Sequence, residues 1–352
     1  MSRYVPREEW SRRQTGANDY ICEICRRRPK LLTTDRRSGR TIVQPFCGRA
    51  CAEEANNISH SRQSYGSRPE FRQADDYDED EYDSGEEEEE DEEDEEEPPD
   101  CILCGKYPQA DDSYFCGKRC ARVASSSAPI ILPVDEDDPD FRDIEEQFYE
   151  SWEHEDKEMP TVQQVYKIIQ TDELMERYES YRARVEREGR FRRKRLAPGN
   201  ERWQWHGTRR SCDIGDDPRR TKLCGSHDCG VCGIVRRSFK LNRVGTARRP
   251  SGSECHTNFS RYGSGIYTST TSSKSDDYSG NHERSRSPYK TMLLARVVIG
   301  RDYRTRQDME HLTRPPSGYH SVAGEVGRNL NYPETVVYHE DAIRPDWLIV
   351  YE

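Results

Sequence analysis

Four short motifs in the second half of the chain set chemically capable side chains beside glycine or at the start of an apolar stretch. "WQWHGT" puts His206 before Gly207, and "YGSGIY" puts Tyr267 after Gly263 and Gly265. "SSKSDDY" carries Lys274, Ser275 and Tyr278, and "LNYPETVVY" opens on Glu334 just after a proline. Each has an ordinary use when taken alone. A histidine before glycine serves a turn, a tyrosine at a strand start packs, and a glutamate opening a strand is solvated. The stretch Tyr262–Tyr278 reads by composition as a loop, with two glycines and eight serines and threonines. The alternative is a pocket wall built from small hydroxyl side chains.

Cysteine supplies the second chemistry. The chain has 13 cysteines, and the N-terminal half repeats one pattern. "CEICRRRPK" to "PFCGRACA" carries Cys22, Cys25, Cys47 and Cys51; "CILCGKYPQ" to "YFCGKRCA" carries Cys101, Cys104, Cys116 and Cys120. Both copies read C-x2-C-x3-P, a spacer, then F-C-G-basic-x-C-A. The ends hold while the spacer changes length, as when both ends are tied to one point. Four thiolates satisfy tetrahedral Zn²⁺ and close the site to water; two disulfide-stapled loops are the alternative. Units this small have little core, so metal binding supplies most of their folding energy. Their expected role is binding a partner, which leaves protein, peptide and nucleic acid open.

The elements that must position these groups come next. The 352 residues are 32% hydrophobic and 35% charged, too polar for a chain folded throughout. Asp75 to Asp100 holds twenty Asp and Glu with no Lys or Arg, a composition expected to stay disordered. Those residues contribute −20 to a net charge of −12, leaving +8 for the remainder. The acidic run opposes nucleic acid near it and favours protein partners for the cysteine units. No stretch of 18 apolar residues appears, which predicts no membrane span. "MSRYVPREEW" lacks the apolar core of a secretory signal, which predicts an intracellular chain, nuclear or cytoplasmic, with reduced thiols.

The expected order is a flexible segment 1–18, a zinc unit 19–56, an acidic linker 57–98, a second zinc unit 99–125, a linker with a helix 126–159, and a folded domain 160–352. "DIEEQFYESWEHEDKEM" has Ile144, Phe148, Tyr149 and Trp152 at helical spacing. Beyond Pro160, Val162, Val165, Tyr166, Ile169 and Leu174 mark a second helical stripe. "RFRRKR", Arg190 to Arg195, reads as a solvated helix end, with nuclear import or nucleic-acid contact as the alternative. "ERWQWHGT", "TMLLARVVIG", "ETVVYHED" and "WLIVYE" read as strands. An N-terminal helix followed by strands with long connections predicts an α+β domain.

In this order the second-half motifs resemble the catalytic domain of the poly(ADP-ribose) polymerase family. The likeness is nearest to tankyrase-like members in "PPSGYHSVAGE" and "YPETVVYHEDAIRPDWLIVYE". It implies the ADP-ribosyltransferase fold, two packed and mainly antiparallel sheets with an N-terminal helix, and NAD⁺ as substrate. It places the family's His–Tyr–Glu triad on His206, Tyr267 and Glu334. The resemblance further implies that His206 bonds the adenosine ribose and that Gly207 pairs its backbone with the nicotinamide carboxamide. Tyr267 and Tyr278 would sandwich the ring, Ser275 would donate to the carboxamide, and Lys274 would lie beside the site. Glu334 would hold the nicotinamide ribose and orient the acceptor. Physical chemistry fits these roles. Breaking the nicotinamide–ribose bond gives an oxocarbenium-like sugar, which a nearby carboxylate stabilises. A flat aromatic ligand favours aromatic faces on both sides. Glycine admits close backbone approach. The alternative is an inactive NAD⁺-binding or zinc-dependent scaffold; an intact triad argues against it.

"SCDIGDDPRRTKLCGSHDCGVC" adds Cys212, Cys224, Cys229 and Cys232 between His206 and Tyr267. This predicts a third, structural zinc site, with His227 or Cys255 as a substitute for one ligand. Tankyrases carry a zinc site after the "GIY" motif, whereas this cluster precedes it. The resemblance makes Gly233–Gly245 a helix and the stretch after it a loop over the donor site. Arg248 and Arg249 there would meet the pyrophosphate or stay solvated.

Overall fold

The computed structural model describes residues 98–111, 113–243, 261–283, 285–328 and 330–352, together with two short strands, β1 (Leu32–Thr34) and β2 (Thr41–Val43). Those two strands pair antiparallel inside the spacer of the first cysteine unit. Cys22, Cys25, Cys47, Cys51, the acidic run up to Glu97, Arg248, Arg249 and Cys255 lie outside the described residues.

From Lys118 onward the elements are α1 (Lys118–Ser127), β3 (Ile130–Val134), α2 (Pro139–Glu150), β4 (Val162–Ile169), α3 (Asp172–Gly189), β5 (Glu201–Gly207) and β6 (Arg209–Arg210). Then follow α4 (Gly230–Arg237), β7 (Ile266–Thr268), α5 (Ser272–Asp276), β8 (Gly280–Asn281) and β9 (Lys290–Val298). The last are β10 (Asp302–Thr305), β11 (Ser321–Gly324), β12 (Glu334–Val337) and β13 (Ile343–Tyr351). Five strands in the order β3-β4-β13-β9-β5 form one antiparallel sheet. Four strands in the order β10-β11-β12-β7 form the other, antiparallel except for β10 with β11. Backbone bonds between Trp205 and Ser269, at 2.7 and 3.0 Å, join the two sheets between β5 and β7. Among the described residues no helix is long and apolar enough to cross a membrane.

Both faces of the five-stranded sheet are buried. Side chains alternate along a strand, so Tyr166, Ile168, Leu293, Leu348 and Val350 pack with Tyr178 and Val185 of α3 and Val231 and Val235 of α4. Val165, Trp205, Leu294, Trp347 and Ile349 pack on the other side with Phe141, Ile144 and Phe148 of α2.

This two-sided burial corrects one expectation. Val162–Ile169 is strand β4, not the start of a helix. Val165, Tyr166, Lys167 and Ile168 are all buried, so period-2 alternation is erased and an accidental helical spacing remains. Helix α3 starts later, where Thr171 caps it by accepting from the Leu174 N–H at 3.4 Å. The stretch 126–159, expected as a linker with a helix, contains α2 and also β3, an edge strand of the sheet. Pro133 is tolerated there because an edge strand needs no partner for the missing N–H.

The second cysteine unit is packed into this body. Tyr114 is buried and meets Trp347 edge-on at 5.7 Å. Lys167 Nζ lies over both rings, 4.5 and 4.3 Å from their centres. The Gln109 amide donates to Asp138 Oδ2 at 2.9 Å, and Asp138 also caps α2.

A buried charge network crosses the sheet. The register of β13 on β9 shifts at Pro345–Trp347, a bulge where a residue without an N–H is at home. Asp346 turns there into contact with Lys167 at 3.0 Å, Arg296 at 3.1 Å and Arg344 at 2.5 Å. Glu201 holds Arg182 at 2.8 Å and the Tyr178 hydroxyl.

Candidate active site

The site is assembled where the two sheets join. His206 ends β5, paired with Leu293, and Tyr267 is the middle residue of β7, paired with Val336. His206 Nδ1 lies 2.9 Å from the Tyr267 carbonyl. A carbonyl oxygen only accepts, so Nδ1 carries the proton and Nε2 is left as the acceptor. Burial pushes the His206 pKa down, outweighing the opposing pull of the Tyr267 carbonyl, so the ring is neutral at neutral pH. Phe239 meets the imidazole edge-on at 4.9 Å and fixes its plane.

Gly207 is backed by α5. A Cβ there would collide with the Ser275 carbonyl, so only glycine lets β5 and α5 approach this closely. That carbonyl accepts from the Tyr278 N–H at 3.1 Å and the Ser279 N–H at 3.0 Å. Ser275 is buried, while Tyr278 is 37% exposed, with Lys274 Nζ 5.7 Å from its ring centre. The Tyr267 hydroxyl accepts from the Tyr262 N–H and donates to the Gly263 carbonyl, both at 2.9 Å. Its ring is thereby fixed and half-buried.

Glu334 opens β12 opposite Gly324 and is only 6% exposed. Its Oε1 sits 3.0 Å from Lys274 Nζ, while Oε2 is buried without a hydrogen-bond partner among the described residues. Unsatisfied buried carboxylate oxygens are costly. This one fits a site that gains its partner from a ligand hydroxyl. The structure thus brings His206 to Tyr267, Gly207 to Ser275, and Lys274 to Glu334.

The hydroxyl-rich middle of the 262–278 stretch has structural work that residue type alone did not reveal. Thr268 Oγ1 donates to the Thr335 carbonyl at 3.1 Å, and Ser269 Oγ to that of Pro333 at 2.7 Å. Ser272 Oγ donates to the Phe148 carbonyl at 2.8 Å. Ser273 Oγ accepts the N–H groups of Glu153 and His154, at 2.5 and 3.0 Å. The available signal was compositional: small hydroxyls suit a segment that must satisfy backbone groups in a buried place.

Two cysteine clusters have converged. In each of the sets Cys101, Cys104, Cys116, Cys120 and Cys212, Cys224, Cys229, Cys232, the sulfurs lie within 4.8 Å of one another. In the second set the N–H groups of Ser211 and Cys224 donate to Cys229 and Cys232 sulfur, at 3.5 and 3.4 Å. Four thiols with N–H support fit a zinc ion. His227 is outside the set, and its carbonyl accepts from Arg243 at 3.0 Å. Cys229 and Cys232 belong to the core, and α4 begins directly after Cys229. Gly230 presses on Thr208, so this cluster braces the segment just beyond His206–Gly207.

Comparison with known families adds one finding. Residues 219–327 match the family model of the Poly(ADP-ribose) polymerase catalytic domain. The matched span contains Tyr267, Lys274, Ser275 and Tyr278; His206, which precedes it, meets Tyr267, and Glu334, which follows it, meets Lys274. The mixed α/β architecture with antiparallel sheets is consistent with that domain. The similarity implies NAD⁺ ADP-ribosyltransferase chemistry in the broad sense.

Proposed function

We propose that this chain transfers ADP-ribose from NAD⁺ to protein acceptors, with release of nicotinamide. The observation that carries this reading is Glu334, with one carboxylate oxygen tied to Lys274 and the other buried with no partner among the described residues. The nicotinamide ring lies between Tyr267 and Tyr278, with its carboxamide on the Gly207 backbone and Ser275. His206 Nε2 accepts from an adenosine-ribose hydroxyl. Glu334 Oε2 accepts from the nicotinamide ribose and stabilises positive charge as the C1′–N bond breaks. Nicotinamide leaves with the bonding electron pair. An acceptor oxygen bonds to C1′, and its proton passes to Glu334 and then to solvent.

Incubating the full chain with NAD⁺ and resolving all products by mass spectrometry tests this reading. Released nicotinamide together with ADP-ribose-sized additions to protein is the expected result. The additions will show whether transfer stops at one unit or continues. NAD⁺ left intact with no modified protein would overturn the assignment.

The cysteine clusters are read as structural zinc sites. The two N-terminal units, the first with its cysteines outside the described residues, are assigned to binding a partner or target, with an intracellular protein favoured. Metal analysis of the full chain is expected to find zinc, with one equivalent lost in Cys104→Ser and one in Cys224→Ser. Unchanged zinc content in both variants would remove these two sites.

A further inference from the structure

We propose that residues 151–157 form a positioning strap for the Lys274–Glu334 pair, anchored by Lys157 and His154. Helix α5 carries Lys274 and has only five residues, too few to hold itself by its own hydrogen bonds. Several of the bonds that fix it come from a segment about 120 residues earlier. The Ser272 N–H donates to the backbone and side-chain oxygens of Ser151, both at 3.2 Å. The Glu153 and His154 N–H groups converge on Ser273 Oγ. Lys157 Nζ bridges Asp276 Oδ2 and Asp277 Oδ1, at 2.9 Å each.

The strap also holds the other member of the pair. His154 Nδ1 lies 3.2 Å from the Tyr332 hydroxyl, and the two rings meet edge-on at 5.6 Å. Tyr332 stands two residues before Glu334. One seven-residue segment therefore grips the helix bearing Lys274 and the loop leading into Glu334. Those two elements belong to separate parts of the chain, and their relative position sets the 3.0 Å Lys274–Glu334 contact.

The same cluster resembles a metal site, because His154, Asp276 and Asp277 bring ligand atoms within 4.8 Å of one another. Lys157 fills that role: its ammonium already neutralises both carboxylates. Asp276 is further held by Lys290 at 2.7 Å and the Tyr351 hydroxyl at 2.9 Å. Lys157 is therefore the cation of a closed arrangement, and its function is mechanical.

The kinetic arm of the test rests on the transferase reading; the exchange arm does not. In the full chain, Lys157→Met is expected to lower kcat ~10-fold with KM for NAD⁺ changed less than about threefold, and Lys157→Arg to recover most of the loss. In the Glu334→Gln background, Lys157→Met is expected to add little, because the pair it positions is already broken. Hydrogen–deuterium exchange across 270–280 is expected to rise in Lys157→Met, with global unfolding unmoved. Tyr332→Phe, which removes one hydroxyl, gives the same readout should Lys157→Met fail to fold. Unchanged exchange in the variants, or a Lys157→Met loss fully additive with Glu334→Gln, would overturn the strap. Raised exchange in a chain that never cleaves NAD⁺ would support the strap and overturn the transferase reading.

Discussion

Replacing Glu334 by Gln is expected to lower ADP-ribosyl transfer by ~100-fold or more, while nicotinamide binding survives. The substitution keeps shape and the oxygen that meets Lys274 but removes the negative charge. Charge matters at the transition state, where the ribose becomes oxocarbenium-like, and hardly at all in the ground state. The groups assigned to nicotinamide, on Gly207, Tyr267, Ser275 and Tyr278, lie on β5, β7 and the α5 segment, and none depends on the charge of Glu334. The check is single-turnover release of nicotinamide alongside equilibrium binding of free nicotinamide. Equal rates in Glu334→Gln and the parent chain would exclude Glu334 from the chemistry. Loss of binding with the rate would make it a ground-state contact instead.

The second large effect is on stability. Asp346→Asn is expected to cost ~3–5 kcal/mol, because the buried cations it pairs would lose their counter-charge. Lys167, Arg296 and Arg344 all contact Asp346, and each is almost fully buried. Glu201, which also faces Arg182, Arg296 and Arg344, would be left to offset more of that positive charge. For a body of this size, the cost corresponds to a fall in unfolding midpoint of ~10 °C or more. The pH dependence has a definite sign. Burial alone would raise the Asp346 carboxyl, but Arg344, Lys167 and Arg296 outweigh it and hold it well below the usual range. A depressed carboxylate stabilises the fold fully above its unfolded value, near ~4, and loses that contribution as pH falls toward the folded value. The gap between parent and variant should therefore be full at pH 7 and shrink below about pH 4. Thermal melts from pH 3 to 8 test this. A pH-independent gap would mean that Asp346 acts through packing alone.

Candidate residues were easier to pick out in the sequence than the framework that carries them. His206 before Gly207 and Glu334 opening "ETVVY" are ordinary taken alone and become candidates through the order of the motifs; the structure sets them at a strand end and a strand start. The two described cysteine clusters were likewise readable, because spacing alone constrains four thiols. Strand β4 was not readable as a strand, since burial on both faces removes the alternation that distinguishes strand from helix. Nor was the 151–157 strap: Ser273 and Lys157 carry no local signal, and their value comes from pairing across a long sequence separation. Asp346 was hidden for a third reason. A charged residue inside "RPDWLIVYE" reads as a break in an apolar strand until three distant cations are seen around it.

The packing of Tyr114, within the second cysteine unit, on Trp347 also bears on how the protein is made. If that unit takes its shape from a bound zinc ion, as proposed, metal supply becomes a condition for covering this part of the sheet. On that reading, a chain without the ion would leave Trp347 and Lys167 uncovered, offering quality-control proteases an aromatic patch beside a charge.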